Sequence, residues 1–171
     1  VAQFIINSPS SIAGTFPAQA AAFGPTLTAT GVTGNVVLAV DDNSDPIGGT
    51  DPNDNSGTLQ YVRVEFSGVE FSPDNELNGI AFQAVGRGTV VHHVQAHMSR
   101  DDALEWFGGT VDGKYMVASN AADDAVDWTF GWTGRAQFLA VHQRGDDGDN
   151  GIEADSNEFN NDLLPRANPQ I

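Results

Sequence analysis

Short apolar runs alternate with polar positions at period two along most of the second part of the chain, and long 3.6-residue periodicity is missing. Four segments share one pattern: Asn78-Gly79-Ile80-Ala81-Phe82, Asp102-Ala103-Leu104-Glu105-Trp106, Asp124-Ala125-Val126-Asp127-Trp128 and Asn150-Gly151-Ile152-Glu153-Ala154. Each reads Asn or Asp, small, aliphatic, variable, then aromatic, with Ala154 as the smaller last member. A second strand precedes each: Val62–Phe66, Val94–Met98, Tyr115–Ser119 and Phe138–Gln143. Gly57-Thr58, Gly88-Thr89, Gly109-Thr110 and Gly134-Arg135 open these strands. A repeat of roughly 22–26 residues with two or three short strands and no helix is the length of one coil of a parallel β-helix.

Stacked coils lie about 4.8 Å apart, so equivalent residues should form columns. Ile80, Leu104, Val126 and Ile152 are expected as an inner aliphatic column, with Phe82, Trp106 and Trp128 stacked beside it. Asn78, Asp102, Asp124 and Asn150 should share a turn and hydrogen-bond between coils. The predicted class is all-β: a parallel β-helix of about four to six coils with an irregular N-terminal segment. Residues 1–56, rich in Ala, Thr, Ser and Pro, form that segment, as part of the solenoid or its cap; residues 57–171 hold the coils and a C-terminal tail. Strands are expected at Ala2–Ile6 and Asn35–Val40, and Ala18–Phe23 is a short helical candidate. The competing fold is an antiparallel sandwich whose strands share a motif by chance.

The run from Asn55 to about Pro165 resembles a broad bacterial family of secreted or surface-attached proteins with right-handed parallel β-helices, often lipoproteins and sometimes labelled drug transporters. The likeness is carried by Asn55–Glu65 (NSGTLQYVRVE), Pro73–Gly79 (PDNELNG), Asp101–Val111 (DDALEWFGGTV) and Asp146–Asp155 (DDGDNGIEAD). It implies the right hand of the coil and a location outside the cell or on its outer surface, and it brings no catalytic residues with it. Members usually run past the position of Ile171, so the chain is expected to be a fragment, a processed form or a short relative.

Charge narrows the function. The 171 residues hold 23 Asp plus Glu against 7 Lys plus Arg, a net charge of −16, so nothing could neutralise nucleic-acid phosphates at scale. No apolar run approaches the ~20 residues of a membrane span, so no membrane insertion is expected. Val1 opens without a charged n-region and apolar h-region, so any targeting segment is expected to have been removed or never included. The absence of cysteine excludes disulfides, thiolate zinc sites and a cysteine nucleophile. No Gly-x-Ser-x-Gly elbow or phosphate-binding glycine loop occurs.

Glu105, Asp127 and Glu153 take the outward position of consecutive coils, and Asp101, Asp123 and Asp146 begin the preceding Asp pairs. Like charges one coil apart repel by about 0.9 kcal/mol in bulk water and about 3–4 kcal/mol at an effective dielectric of 20. Solvent, cations or shared protons must relieve such a column. The densest stretch offers Asp146, Asp147, Asp149, Glu153 and Asp155 as oxygen ligands for Ca²⁺, with a solvated acidic face as the alternative. His93 and His97 share a strand face, but zinc or copper would need a third ligand from another coil, so His92, His93, His97 and His142 read as surface histidines. Trp106 and Trp128 fit the core, and Trp132, which breaks the repeat, is the expected exposed aromatic. Thr26, Thr28 and Thr30 form a threonine run that does not recur, and the Ser/Thr-rich first 33 residues could carry O-linked sugar.

Two functions follow. One is a non-enzymatic extracellular or cell-surface β-helix with a structural, adhesive or self-assembling role, filament formation included. It would associate end to end through the solenoid edges, or through the apolar strand Val1–Asn7, which lacks an obvious local partner. The alternative is a polysaccharide-binding or polysaccharide-degrading protein, either a hydrolase using adjacent carboxylates or a lyase using Lys114, Arg135 or Arg144 beside Ca²⁺.

Overall fold

Strands with inward apolar and outward polar residues bury one face only by joining their neighbours, and here every coil finds its neighbour in the next repeat. The computed structural model describes residues 51–68 and 76–171, together with the backbone of four short strands before them. Those four are β1 (Phe4–Asn7), β2 (Leu27–Thr28), β3 (Ala39–Val40) and β4 (Pro46–Ile47). Seven longer ones follow: β5 (Thr58–Glu65), β6 (Ile80–Gln83), β7 (Val90–His97), β8 (Leu104–Phe107), β9 (Gly113–Ser119), β10 (Val126–Thr129) and β11 (Ala136–His142). Among the described residues no helix is long and apolar enough to cross a membrane.

One sheet runs β10-β8-β6-β1-β2 and another β11-β9-β7-β5, and all of their pairings are parallel. The chain is a right-handed parallel β-helix. Among the described residues only β3 and β4 pair antiparallel, which excludes the sandwich. Strand β1 takes partners within the chain, β6 on one side and β2 on the other, so the N-terminal strand has the local partners the sequence did not reveal. The helical candidate Ala18–Phe23, Thr26, Thr30 and most of the Ser/Thr-rich start lie outside the described residues.

The register is the one the repeat demands: Ile80 pairs with Leu104 and Leu104 with Val126, while Phe82 pairs with Trp106 and Trp106 with Trp128. Ile80, Phe82, Leu104, Trp106 and Val126 are fully buried, each burial stabilising by about 1.5–3 kcal/mol or more for the larger rings. The backbone of Glu153 and Asp155 carries the pattern one coil further, bonding to the carbonyls of Val126 (2.9 Å) and Trp128 (3.0 Å). Ile152 does not complete the inner column: its side chain is 44% exposed, at the last coil.

Trp132 is a correction. It is buried, not exposed: its ring stacks on Trp106 with centroids 4.5 Å apart, and Nε1 donates to the Val111 carbonyl at 3.1 Å. The positive φ of Phe130 (54°) and Gly131 (83°) turns the loop back over the core, so the residue that breaks the repeat fills its interior. Gly109 (φ 85°) is similarly required, since a Cβ there would fall 2.6 Å from the Val85 backbone nitrogen.

Strands β5, β7, β9 and β11 each contain a corner that alternation did not foretell. Tyr61, His93, Tyr115 and Phe138 all adopt left-handed φ values of 54–59°, and the pairing skips them in every coil. Such a conformation costs an L-residue about 1–2 kcal/mol. The column offsets this by ring stacking, with centroid separations of 4.8, 4.6 and 4.8 Å from Tyr61 through His93 and Tyr115 to Phe138. Such aromatic pairs contribute about 0.5–1.5 kcal/mol each.

Candidate functional site

Two places concentrate chemistry, one on each large sheet. At the entrance to β8 and β10 the turn column forms as the repeat suggests, with one refinement. Its side chains bond to the backbone of the next coil: Asp124 N–H donates to Asp102 Oδ1 (3.0 Å) and Asn150 N–H to Asp124 Oδ1 (2.6 Å). Asp102 is 7% and Asp124 1% exposed, so these bonds compensate burial of the carboxyls.

Beside this column Glu105 pairs in register with Asp127. Alternation places Glu105 outward, yet it is only 7% exposed and accepts a hydrogen bond from Asn78 Nδ2. Oxygens of Asp102, Glu105 and Asp127 lie within 4.8 Å of one another, as do those of Asp101, Asp102 and Asp123, and of Asp123, Asp124 and Asp149. Carboxylates crowded in this way hold protons. Burial, with neighbouring Asp123 adding, pushes Asp101 up to about 6. Burial pushes Asp127 up to about 6 as well, against hydrogen bonds from Glu105 and the Trp128 backbone. Burial, reinforced by Asp101 and Asp127, pushes Asp102 up to about 9. Glu105 rises well above the usual range for the same reason, with Asp102 and Asp127 adding to it. Asp123 also rises, through burial and then Asp124. Glu153, hydrogen-bonded to Asp124, is raised to about 7.

The five residues singled out for Ca²⁺ scatter. Asp146 and Asp147 both turn to Arg144, at 3.1 and 3.8 Å. Asp149 joins Asp123 and Asp124, Glu153 contacts Asp124, and Asp155 continues the backbone ladder on β10. Among the described residues only Asp149 of the five enters a group of three acidic side chains. The groups that Asp101 and Asp102 form with Asp123, and Asp102 with Glu105 and Asp127, were legible only in part. The repeat put them in adjacent columns, but their shared burial depends on the packing around them. These groups have the donor chemistry of an oxygen-ligated divalent cation.

The second place is the outer face of β5-β7-β9-β11, which carries all four histidines and the only lysine. A groove of ≈ 320 Å³ is lined there by Val90, His92, His93, Asp112, Lys114 and Tyr115, among others. Lys114 Nζ lies 5.4 Å from the Tyr115 ring and 5.3 Å from the Phe138 ring. Arg135 is engaged by Asp112, its Nε at 3.0 Å. His93 and His97 both stand on the outward side of β7, as alternation expects, but His97 Nδ1 meets Ser119 Oγ at 2.9 Å, and the corner at His93 brings His92 to the same side as its neighbour. There His92 Nδ1 and His93 Nδ1 share a hydrogen bond of 2.8 Å. The adjacent His-His pair was the available signal, but its geometry came only with the backbone.

The bases considered for a lyase are thus apart from the carboxylates: Lys114 lies on β9 of the other sheet, Arg135 precedes β11 and is held by Asp112, and Arg144 is committed to Asp146 and Asp147. Comparison with curated proteins and with solved structures gave no match. Residues 26–171 match the model of the pectate-lyase-like beta-helix domain. That match spans most of the chain and agrees with the stacked parallel sheets, and the protein therefore belongs to the pectate-lyase-like β-helix domain family.

Proposed function

We propose that this β-helix works without catalysis, as an extracellular or cell-surface element with a structural, adhesive or self-assembling role. The observation that carries this reading is the burial of the acidic group. Asp102 and Glu105 are each 7% exposed and are engaged by Asp124 and Asn78 respectively. Carboxylates so enclosed hold coils together and are poorly presented to a polymer. Self-association is supported by the strand edges that end the β11-β9-β7-β5 sheet among the described residues, where Tyr61 and Phe138 stand 75% and 57% exposed. A bacterial origin and a divalent cation such as Ca²⁺ at the Asp123–Asp124–Asp149 group belong to the same proposal.

A second reading is favoured by one observation: Asp102, Glu105 and Asp127 approach within 4.8 Å, near the ~5 Å spacing of a retaining glycosidase pair. One experiment separates the two. The protein is incubated with neutral and acidic polysaccharides while reducing ends and unsaturated products are followed, and particle size is measured by light scattering. The expected result is no turnover and a size that grows with concentration. Turnover that disappears in Glu105→Gln would replace the structural reading by the hydrolytic one.

A further inference from the structure

We infer that His92 and His93 form a binding site for a divalent transition metal of tetragonal preference, Cu²⁺ above all. Neighbouring residues of a regular strand point to opposite sides, so an adjacent His pair does not normally chelate. Here His93 has φ 54°, and its ring comes beside that of its neighbour, with centroids 5.0 Å apart and the two Nδ1 atoms sharing one proton in a hydrogen bond of 2.8 Å. Two imidazole nitrogens bound at about 2.0 Å are separated by about 2.8 Å when the angle at the metal is 90°, and by about 3.3 Å when it is tetrahedral. A metal that displaces the shared proton and keeps this separation takes a right-angled bite, which suits Cu²⁺ or Ni²⁺, and Cu²⁺ binds nitrogen donors most strongly of the divalent series.

The surroundings support the assignment. His93 is clamped between Tyr61 and Tyr115, at 4.8 and 4.6 Å, so its ring orientation is set before any ligand arrives. Both histidines line the groove on this sheet and reach solvent, which supplies the remaining ligands. Lys114, next in the His92 column, extends its ammonium over Tyr115 and Phe138, toward the following coil. The other histidines are occupied elsewhere: His97 Nδ1 meets Ser119 Oγ and His142 Nδ1 meets Asn120 Oδ1, each at 2.9 Å. The net charge of −16 favours a cation at any accessible donor pair.

The test is a Cu²⁺ titration of the full chain against glycine as competitor, by calorimetry, with electron paramagnetic resonance at one equivalent. The expected spectrum is tetragonal with coupling to two imidazole nitrogens. Loss of a supporting group around a metal typically costs about 10- to 100-fold in affinity, so His92→Ala and His93→Gln should each lose at least tenfold. His97→Ala and His142→Ala should bind as the parent does. Unchanged affinity in His92→Ala, or a spectrum without two-nitrogen coupling, overturns the assignment. Should His93→Gln disturb the aromatic column, His92→Ala, whose ring meets the column only edge-on at Tyr61 and His93, decides the matter alone.

Discussion

Around β6, β8 and β10 the repeat stacks carboxylates, whereas along β5, β7, β9 and β11 it stacks rings, and one register of coils yields both. Stacking at about 4.8 Å multiplies whatever each position carries. For Asp102, Glu105 and Asp127 that means mutual repulsion in a buried setting, relieved by holding protons. For Tyr61, His93, Tyr115 and Phe138 it means favourable ring contacts that sustain a strained corner in every coil. A solenoid therefore amplifies single-residue chemistry in either direction, and the side chain at one position of the repeat decides the sign.

The largest effect should come from the layer both sheets share. Trp132→Ala removes the ring stacked on Trp106 and the donor to the Val111 carbonyl, and should destabilise by about 3–5 kcal/mol. A denaturant melt with a smaller loss would mean that the two sheets do not depend on a common core.

The acidic side is broken by pH. Asp101, Asp127 and Asp102 have folded-state values of about 6, 6 and 9, all above the ordinary 3.8, so the protonated forms favour folding. Their contribution is complete below about pH 4 and is lost as pH rises through 6 and then 9. The thermal midpoint should accordingly fall between pH 5 and pH 8. Asp127→Asn should reduce that fall, stabilising the protein at pH 8 by up to about 3 kcal/mol, the equivalent of its displacement. A midpoint that rises across this range would show that the carboxylates are ionised and compensated in the fold.

The aromatic side should respond more weakly. Tyr115→Ala loses the stacks on His93 and Phe138 and the Lys114 contact, a cost of about 1–3 kcal/mol. Tyr115→Phe keeps the ring and should remain close to the parent. If both variants melt alike, the column is decoration and the comparison between the sheets fails on that side.

Much of this molecule was written in its repeat. The five-residue pattern fixed which residues stack, because a period-two strand leaves each side chain one of two faces and identical coils preserve that choice; the inner columns through Ile80 and Phe82 and the turn column through Asp102 and Asp124 follow directly. What it could not determine is what happens where the period breaks. Left-handed φ at His93 put two adjacent histidines on one side of the strand, and the turn around Gly131 carried Trp132 inward, both because a single backbone angle redirects the side chains around it. Burial of Glu105 likewise came from tertiary packing alone: alternation names the outward face of a strand, but only the assembled chain decides whether that face meets water.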